Sequence, residues 1–415
     1  MMATTINRLS DLCEFVGVQV DPESRPGEVY VGLEHVASGH FTRIGEGEAH
    51  DVQSGKYTFQ PGDVLYGKLR PYLDKAILVK DSGICTTELL VLRPKEGVDP
   101  RFLVVVLHAP SFIDHAVAGT TGVQHPRTSW AHIGDFTLPA FDAVERTKIA
   151  NLLWAIHDGI AANQAAIDST MQVKRMATRT LFTHGFKGET QKETDIGPMP
   201  TSWNVVPLGS LGRIGNGSTP KKSIREYWAD GTFPWLTSAK VYDREVASAE
   251  QFVTETALRE CHLPIVEPGA ILVAITGQGK TLGHCAVLRM RATINQHIAY
   301  LATDTARANP SFVRGYLETQ YNYLRQVGGG GGSTKGALTC AFLRGLPIPL
   351  PPTLDEQNEI VAILDTLDRK IDLHKRKRKI LEELFKTLLH KLMTGEIRVD
   401  QLDLAALSTS EEMPV

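Results

Sequence analysis

One long helical pattern occurs twice in this chain, 211 residues apart. Apolar positions recur in alternating steps of four and three from Ile149 to Leu181, and the same pattern returns from Ile360 to Leu392. A mean step of about 3.5 residues is typical of helices that pair along a seam, as in a coiled coil. Each segment would run for about 43 residues, or roughly 65 Å. Such helices are much longer than those of an ordinary globular core, so the sequence predicts two arms or spacers.

Both segments have matching start and stop signals. Residues 142–145 (Asp-Ala-Val-Glu) and 353–356 (Thr-Leu-Asp-Glu) have the spacing of an N-terminal capping box. Gly185 and Gly395 stand where a left-handed C-cap is expected. The duplication of these signals predicts a repeat whose two copies share one helical frame.

Polar residues interrupt both seams, at Asn163 in the first and at His374 and Arg378 in the second. One interpretation is that they are solvated gaps in loose packing. The other is that they meet near the crossing point of an antiparallel pair and fix its register. Antiparallel packing is favoured, because the first helix leads away from one module and the second begins at the other.

Further matches outside the two long helical segments predict an α+β fold with two mixed α/β modules and a pseudo-twofold internal repeat. Pro61-Gly62 is matched by Pro268-Gly269, and Asp99-Pro100 by Asn309-Pro310. Each module should combine short strands with one helix, near residues 101–107 or 310–323. The predicted parts are the first module, 1–140; a central helical spacer, 141–186; a linker, 187–202; the second module, 203–350; a C-terminal helical spacer, 351–396; and a tail, 397–415.

Composition narrows the functional classes. The sequence has no apolar run of 18 residues and no signal-like start, so we expect a cytoplasmic protein without a membrane span. Its five cysteines lack paired spacing, which disfavours a metal or disulfide site. The net charge of −3 argues mildly against a nucleic-acid partner, but phosphate binding requires only a local basic surface.

Several loops combine basic, hydroxyl and aromatic residues with glycines, a mixture that suits phosphate binding and base-edge hydrogen bonding. Any one of these residues alone is weak evidence, since an aromatic such as Trp235 or Tyr72 is more often a core residue than a contact. The candidate contacts are Lys68, Arg70, Tyr72, Lys75, His125 and Arg127 in the first module, and Thr219, Lys221, Lys222, Trp235, Thr237, Ser238, Lys240, Lys280 and Lys335 in the second.

Residues 274–281 (Ala-Ile-Thr-Gly-Gln-Gly-Lys-Thr) loosely match a phosphate-binding P-loop. A P-loop is followed by a helix, whereas residues 282–300 have the pattern of further strands. Nucleotide hydrolysis is therefore disfavoured. Contact of Lys280 with DNA phosphates, or a plain surface hairpin, is preferred. The basic run 375–379 is better explained as a solvated helix face, since acidic residues flank it.

Four motifs resemble the specificity subunit of type I restriction-modification enzymes. They are Gly-Asp-Val-Leu-Tyr-Gly-Lys-Leu-Arg-Pro-Tyr-Leu at 62–73, Gly-Ser-Thr-Pro at 217–220, Phe-Pro-Trp-Leu at 233–236, and Leu-Pro-Pro-Thr-Leu-Asp-Glu-Gln at 350–357. The resemblance covers essentially the whole chain. It implies that each module is a target-recognition domain reading one half of an interrupted DNA site, and that the helices set the distance between halves.

The resemblance also implies partners: double-stranded DNA, two methyltransferase subunits docked on the helices, and restriction subunits with translocase activity. S-adenosylmethionine, ATP and Mg would belong to those partners, so this chain is expected to carry no cofactor and no catalytic site. The central copy departs from the motif, with Ala140-Phe141 and Glu145-Arg146, so the two docking surfaces could differ in strength. The chain also lacks an Asn/Asp-Pro-Pro-aromatic methylase motif. The alternative is a two-module scaffold for protein partners that does not bind DNA.

Overall fold

The computed structural model describes residues 6–277, 280–329 and 337–402, and its internal contacts divide the chain into two compact units. Unit 1 comprises Met1–Ala166 and Leu373–Val415, and unit 2 comprises Ile167–Asp372. Each unit therefore combines one module with a part of each long helix.

The two long helices are Ala143–His184, of 42 residues, and Leu354–Met393, of 40 residues. We call them the central helix and the C-terminal helix. Their lengths agree with the predicted 43 residues. Gly185 and Gly395 adopt φ angles of 70° and 72°, which confirms both predicted left-handed C-caps.

Half of the predicted capping box is present at each helix start. Asp142 Oδ1 accepts the Glu145 N–H at 2.8 Å, and Thr353 Oγ1 accepts the Glu356 N–H at 3.3 Å. The capping box also predicts that each glutamate carboxylate accepts the N–H of the N-cap residue. That prediction is wrong, because both carboxylates are held by residues distant in the sequence.

Those distant partners tie each helix start to the rest of its unit. In unit 1 the Glu145 carboxylate binds Arg398 at 3.1 Å. In unit 2 the Glu356 carboxylate accepts the indole N–H of the fully buried Trp203 at 3.1 Å. A buried carboxylate needs such partners, and they outcompete the local cap.

The helices run antiparallel within each unit. In unit 1, Gly159 packs against Leu381 and Asn163 contacts His374, so residue numbers fall on one helix as they rise on the other. In unit 2, Lys174 binds Asp368, while the Phe186 N–H, just beyond the central helix, donates to Glu356.

The first module contains two principal sheets. One is antiparallel with strand order 13–15, 89–94, 64–67 and 76–78; the other has order 19–20, 56–59, 83–85, 29–31 and 47–48. Its strands are Ile6–Arg8, Cys13–Phe15, Gln19–Val20, Val29–Val31, Gly47–Glu48, Lys56–Phe59, Val64–Gly67, Ala76–Leu78, Gly83–Cys85, Leu89–Pro94 and Thr137–Pro139, and its α-helices are Leu9–Leu12, Pro100–Leu107, Pro110–Ala118 and Trp130–Ile133.

The second module has the same plan. Its larger sheet has order 212–216, 298–303, 271–274, 285–288 and 245–246, and a smaller sheet has order 251–253, 233–236 and 293–294. Unit 2 contains the strands Gln191–Lys192, Met199–Pro200, Asn204–Pro207, Gly212–Asn216, Phe233–Leu236, Glu245–Val246, Gln251–Val253, Ile271–Ala274, Cys285–Leu288, Thr293–Ile294, Ile298–Thr303 and Pro347–Leu350, and the α-helices Glu255–Glu260, Pro310–Thr319, Tyr321–Gly329 and Cys340–Gly345.

Each module closes on itself by pairing its first and last strands, with Ile6 opposite Pro139 and Asn204 opposite Leu350. The chain thus enters and leaves each module at one place, directly before a long helix. The prediction of one helix per module is wrong, since two consecutive helices follow strand Leu89–Pro94 in the first module and strand Ile298–Thr303 in the second. A break near Gln320 divides the predicted 310–323 helix.

Each module shares an apolar core with its part of the helix pair. Ile149 and Leu153 of the central helix pack with Leu392 in unit 1, and Phe182 packs with Ile360 in unit 2. Among the described residues, no single helix is long and apolar enough to cross a membrane. The pair 100–107 and 110–118 has the length and composition together, but it is bent by 64°.

Candidate nucleic-acid interface

Three loops of the first module meet at one edge: residues 68–75, the turn 86–88, and residues 119–128. The Lys68 N–H donates to the Glu88 carbonyl at 3.0 Å, and the Thr128 N–H donates to the Lys68 carbonyl at 3.0 Å. Leu69 and Arg127 form an isolated antiparallel bridge between the outer loops. We call this arrangement the three-loop junction. It brings together two of the loops that the sequence singled out.

Arg127 is held at this junction by Glu88. Its Nε atom lies 2.9 Å from Glu88 Oε2 and its Nη2 atom 3.0 Å from Oε1. Hydrogen bonding to Glu88 raises the pKa of Arg127. The carboxylate occupies one edge of the guanidinium, and Nη1 donates to the His125 carbonyl at 3.3 Å. The remaining N–H donors of Nη1 and Nη2 suit recognition of phosphate or guanine.

Arg70 has an unusual backbone and side-chain environment. Its φ angle is 51°, in the left-handed region that non-glycine residues rarely adopt. Its N–H donates to the Pro126 carbonyl at 2.7 Å, while its buried Nε has no hydrogen-bond partner among the described residues. Strain and unsatisfied donors of this kind concentrate at functional sites.

The other first-module candidates have different environments. His125 is exposed in the 119–128 loop, and Tyr72 is 55% exposed beside the junction. Lys75 is half-buried and its ammonium donates to the Leu33 carbonyl at 2.6 Å, which gives it a structural role in this state.

The second module builds the same junction from equivalent main-chain bonds. The Ile275 N–H donates to the His297 carbonyl at 3.0 Å, and the Leu338 N–H donates to the Ile275 carbonyl at 2.7 Å. Thr276 and Ala337 form the bridge that corresponds to the one in the first module. The backbone is repeated while the side chains differ.

Side chains on the second junction form a hydrogen-bonded chain. Thr219 Oγ1 donates to Gln296 Oε1, and Gln296 Nε2 lies 3.1 Å from His297 Nε2. His297 Nδ1 in turn lies 2.5 Å from Thr276 Oγ1. Thr219, a candidate DNA contact, is therefore part of the junction, whereas the other three members were not among the candidates.

Trp235 has a supporting position rather than an exposed one. It is 4% exposed, and its indole N–H donates to the Ser218 carbonyl at 3.2 Å. The half-buried Thr237 and Ser238 follow the same strand, whose Leu236 carbonyl accepts the N–H of Asn295. The Leu236 carbonyl thus holds the turn 295–297 against this strand.

The candidate lysines of the second module differ in their surroundings. Lys221, Lys222 and Lys280 are exposed, and the Lys280 carbonyl accepts the Tyr321 hydroxyl. Lys240 instead forms an ion pair with Glu250 at 2.7 Å. The candidate Lys335 lies outside the described residues.

The predicted strand after residues 274–281 is confirmed as Cys285–Leu288, so the helix that a P-loop requires does not follow.

Buried cysteines of this chain are poor nucleophiles. Burial raises the pKa of the Cys13 and Cys285 thiols to about 12.

The polar seam residues do meet. Asn163 Oδ1 and His374 Nδ1 are 2.8 Å apart, and the Arg378 guanidinium donates to Gln164. All four residues belong to unit 1. The contact agrees with the second interpretation of the interrupted seams, in which these side chains fix register.

Sequence reasoning missed Glu88, Gln296 and His297. They lie on three-residue turns between strands, where neither periodicity nor glycine content marks them. A signal was present in the repeat, because Thr86 and Asn295 accept the N–H two residues later in each turn.

Comparisons with known proteins agree on one class. A profile of the type I restriction modification DNA specificity domain matches residues 200–383. The MjaIX specificity subunit of a type I restriction enzyme from Methanocaldococcus jannaschii is 33% identical over 215 residues, covering 50% of this chain and 48% of that protein. The putative MjaX specificity subunit from that organism is 24% identical over 357 residues, covering 83% and 80%.

The solved structure of a type I restriction-modification S subunit from M. genitalium has a TM-score of 0.63 at 16% identity, covering 94% of this chain and 96% of that one. At this identity the likeness concerns the fold alone. It confirms the coarse prediction of mixed α/β modules with long helices. The match to the MjaIX subunit spans about half of that relative's length.

Proposed function

We propose that this chain, which is similar to specificity subunits of type I restriction-modification enzymes, is the non-catalytic DNA-recognition subunit of such a complex. Each module reads one half of a bipartite site. The observation that carries the proposal is the three-loop junction, which has the same main-chain bonds around Lys68 and Ile275 but different outward side chains. A common frame with different side chains suits two readers of different sequences.

Side-chain chemistry at the two junctions supports DNA as the ligand. Lys68, Arg70 and Arg127 supply positive charge in the first module, and Lys221 and Lys222 supply it near the second. Phosphate contacts by such residues would provide a salt-dependent term and orient each module on the duplex. Base contacts would then come from residues at the junction itself, and the net charge of −3 does not oppose this local arrangement.

The two long helices are proposed to set the spacer between half-sites. In this arrangement the 211-residue repeat forms a pseudo-twofold, coiled-coil frame, and the helices also dock two methyltransferase subunits. Restriction and translocase subunits would join that core. S-adenosylmethionine, ATP and Mg would be bound by those partners, while this chain supplies position and sequence discrimination.

A selection experiment tests DNA reading directly. The full chain, purified with its methyltransferase subunits, is incubated with duplexes of random sequence, and bound DNA is sequenced at several salt concentrations. We expect one interrupted site, with affinity that falls as salt rises. Salt-independent retention without sequence enrichment would instead support the scaffold alternative and contradict the proposal.

Lysine variants test which residues contribute to the salt-dependent part of DNA binding. Lys221→Ala and Lys222→Ala should each weaken binding to all sequences and reduce the salt slope by about 1. Lys187→Ala, at an exposed position in the linker, is the matched control and should leave the slope unchanged. Unchanged slopes in both test variants would remove these lysines from the interface.

A further inference from the structure

We propose that Gln296 is a specificity-determining residue that reads one adenine in the half-site of the second module. The inference rests on the proposed function and adds a residue and a base to it. It starts from the position of Gln296, which is exposed at the three-loop junction beside the exposed His297. Both side chains are accessible from outside the module.

The turn beneath Gln296 is rigidly built. Asn295 is 5% exposed, and its Oδ1 atom accepts the His297 N–H at 3.0 Å. Gly217 passes so close to this turn that a Cβ atom there would lie 1.8 Å from the Ile294 carbonyl oxygen. Only glycine allows that approach, which brings the neighbouring Thr219 hydroxyl to the Gln296 amide.

Hydrogen bonding orients the Gln296 side chain. Thr219 donates to Gln296 Oε1, and the Gln296 amide nitrogen donates to His297 Nε2 at 3.1 Å. The imidazole then carries its hydrogen on Nδ1 and donates it to Thr276 Oγ1 at 2.5 Å. His297 is therefore a positioning residue, because it acts through Gln296. Orientation before binding lowers the entropic cost of contact.

Within residues 6–277, 280–329 and 337–402, the relay leaves a defined pair of groups unused. A glutamine amide has two N–H donors and two oxygen lone pairs, and the relay takes one of each. One donor and one acceptor remain side by side, and reversing the polarity of the relay would leave the same pair. The surface thus presents one adjacent donor and acceptor.

Adenine complements that pair in the major groove. It offers the N7 acceptor beside the N6 amino donor, which a glutamine amide binds with two hydrogen bonds. Guanine offers two acceptors at the same edge, and cytosine offers only a donor. Each wrong base would leave one group of the amide unpaired.

The first module has different chemistry at the corresponding place. The equivalent turn carries Thr87 and Glu88, and Glu88 is committed to Arg127. The inference therefore applies to one half-site only. The predicted adenine must lie in the half-site that the second module reads.

The test uses the full chain with its methyltransferase subunits and selection from random duplexes. Exchanging residues 203–350 first assigns the second module to a half-site. The native chain should require adenine at one position there, with discrimination of about 5- to 150-fold. Gln296→Glu removes the donor, so cytosine should become the favoured base at that position while the other half-site stays the same.

Two further variants keep the test decisive if the added negative charge of Gln296→Glu abolishes binding. Gln296→Ala should bind with no preference at that position, and His297→Ala should keep adenine but discriminate less. Gln251→Ala, an exposed glutamine in the same module, is the control and should change neither half-site. Circular dichroism melting curves should match the native chain for all variants.

The outcomes separate this inference from the proposed function. A native bipartite site that Gln296→Ala leaves unchanged overturns the role of Gln296 and leaves DNA recognition standing. Loss of preference at a position that is not adenine also overturns it. Absence of any enriched site with the native chain would contradict the proposed function itself.

Discussion

The side chains of Asn163 and His374 meet in unit 1, with Asn163 Oδ1 and His374 Nδ1 2.8 Å apart. Their separation in the sequence, 374 − 163 = 211, equals the period of the repeat. Equivalent residues of two copies touch one another only near a twofold axis. The contact within unit 1 therefore supports the proposed pseudo-twofold repeat of the two helices.

This pair should be energetically coupled. Asn163 Nδ2 donates to the Gly159 carbonyl, so Oδ1 is available to accept from His374. Either single alanine substitution should lower the free energy of unfolding by about 1 kcal/mol, and a double-mutant cycle should give a coupling of about 0.5–1.5 kcal/mol. Urea denaturation measures both. A cycle of Asn163 with the exposed His50 is the control, and equal couplings in the two cycles would refute the register role.

An ion-pair cluster should stabilise unit 2. Asp368 lies 2.8 Å from Lys174 and 2.7 Å from Arg244, with its side chain 12% exposed. Asp368→Asn should lower the free energy of unfolding by roughly 2 kcal/mol, because it removes one carboxylate partner from each of two partly buried cations. Asp365→Asn is the matched control, since Asp365 is 27% exposed and, in the part of the chain that the structure describes, bonds Arg244 alone. It should cost less than about 1 kcal/mol, and equal losses in the two variants would contradict the argument.

The same cluster predicts an acid dependence. Burial alone would raise the pKa of Asp368, but Lys174 and Arg244 outweigh it and hold that pKa below the ordinary 3.8. The ion pairs therefore contribute fully above pH 3.8, and their stabilisation is lost as pH falls through the lower folded-state pKa. Thermal melts of the native chain and Asp368→Asn should converge only at that acidic end.

Positions equivalent to Asp365 and Asp368 in the first copy are Trp154 and His157, and there the contact is aromatic. The His157 ring stacks on Phe41 with centroids 4.2 Å apart. Burial lowers the pKa of His157 below 6.5, with Asp158 opposing the shift. His40 and His108, the other titratable neighbours, lower it further.

A buried neutral histidine makes stability fall on mild acidification. The unfolded chain binds the proton more readily than the folded one, so the contribution of His157 is complete above pH 6.5 and declines as pH drops below that value. His157→Phe should flatten the stability profile between pH 7.5 and 5.5, measured by urea denaturation at each pH. The exposed His390→Gln should keep the native slope. An unchanged slope in His157→Phe would show that the ring protonates freely.

Lengthening both helices tests the spacer proposal. Seven residues inserted after Ala165 and seven after Arg376, its equivalent, preserve the seam phase. They extend each helix by about 10.5 Å, or roughly three base-pair steps of about 3.4 Å. The recognised spacer should grow by three base pairs with both half-sites unchanged. Substituting seven residues in place, without insertion, is the control. An unaltered spacer in the longer chain would exclude the proposal that the helices set the spacer length.

Sequence patterns predicted the long helices and their C-caps because these depend on local periodicity and on single glycines such as Gly185 and Gly395. The partners of Glu145 and Glu356 were not predictable in this way, since Arg398 and Trp203 are joined to them only by the tertiary fold. Their demand for buried hydrogen bonds overrides the capping signal.

The candidate nucleic-acid interface was likewise predictable only in part from the sequence. Loops rich in basic and glycine residues identified two sides of the first junction, around Lys68 and Arg127. The third side, the turn carrying Glu88 or His297, has no compositional mark and appears only when strand pairing brings it to the edge. Trp235 illustrates the converse, because a conspicuous aromatic residue proved to be a buried support.

The most direct test of the account is sequencing of methylated adenines in a host that carries this chain with its methyltransferase partner, before and after residues 1–140 are exchanged for another recognition module. We expect a bipartite methylated site of fixed spacer in which the exchange alters one half only. A continuous site, or a change in both halves after the exchange, would contradict the claim that two independent modules read DNA from one helical frame.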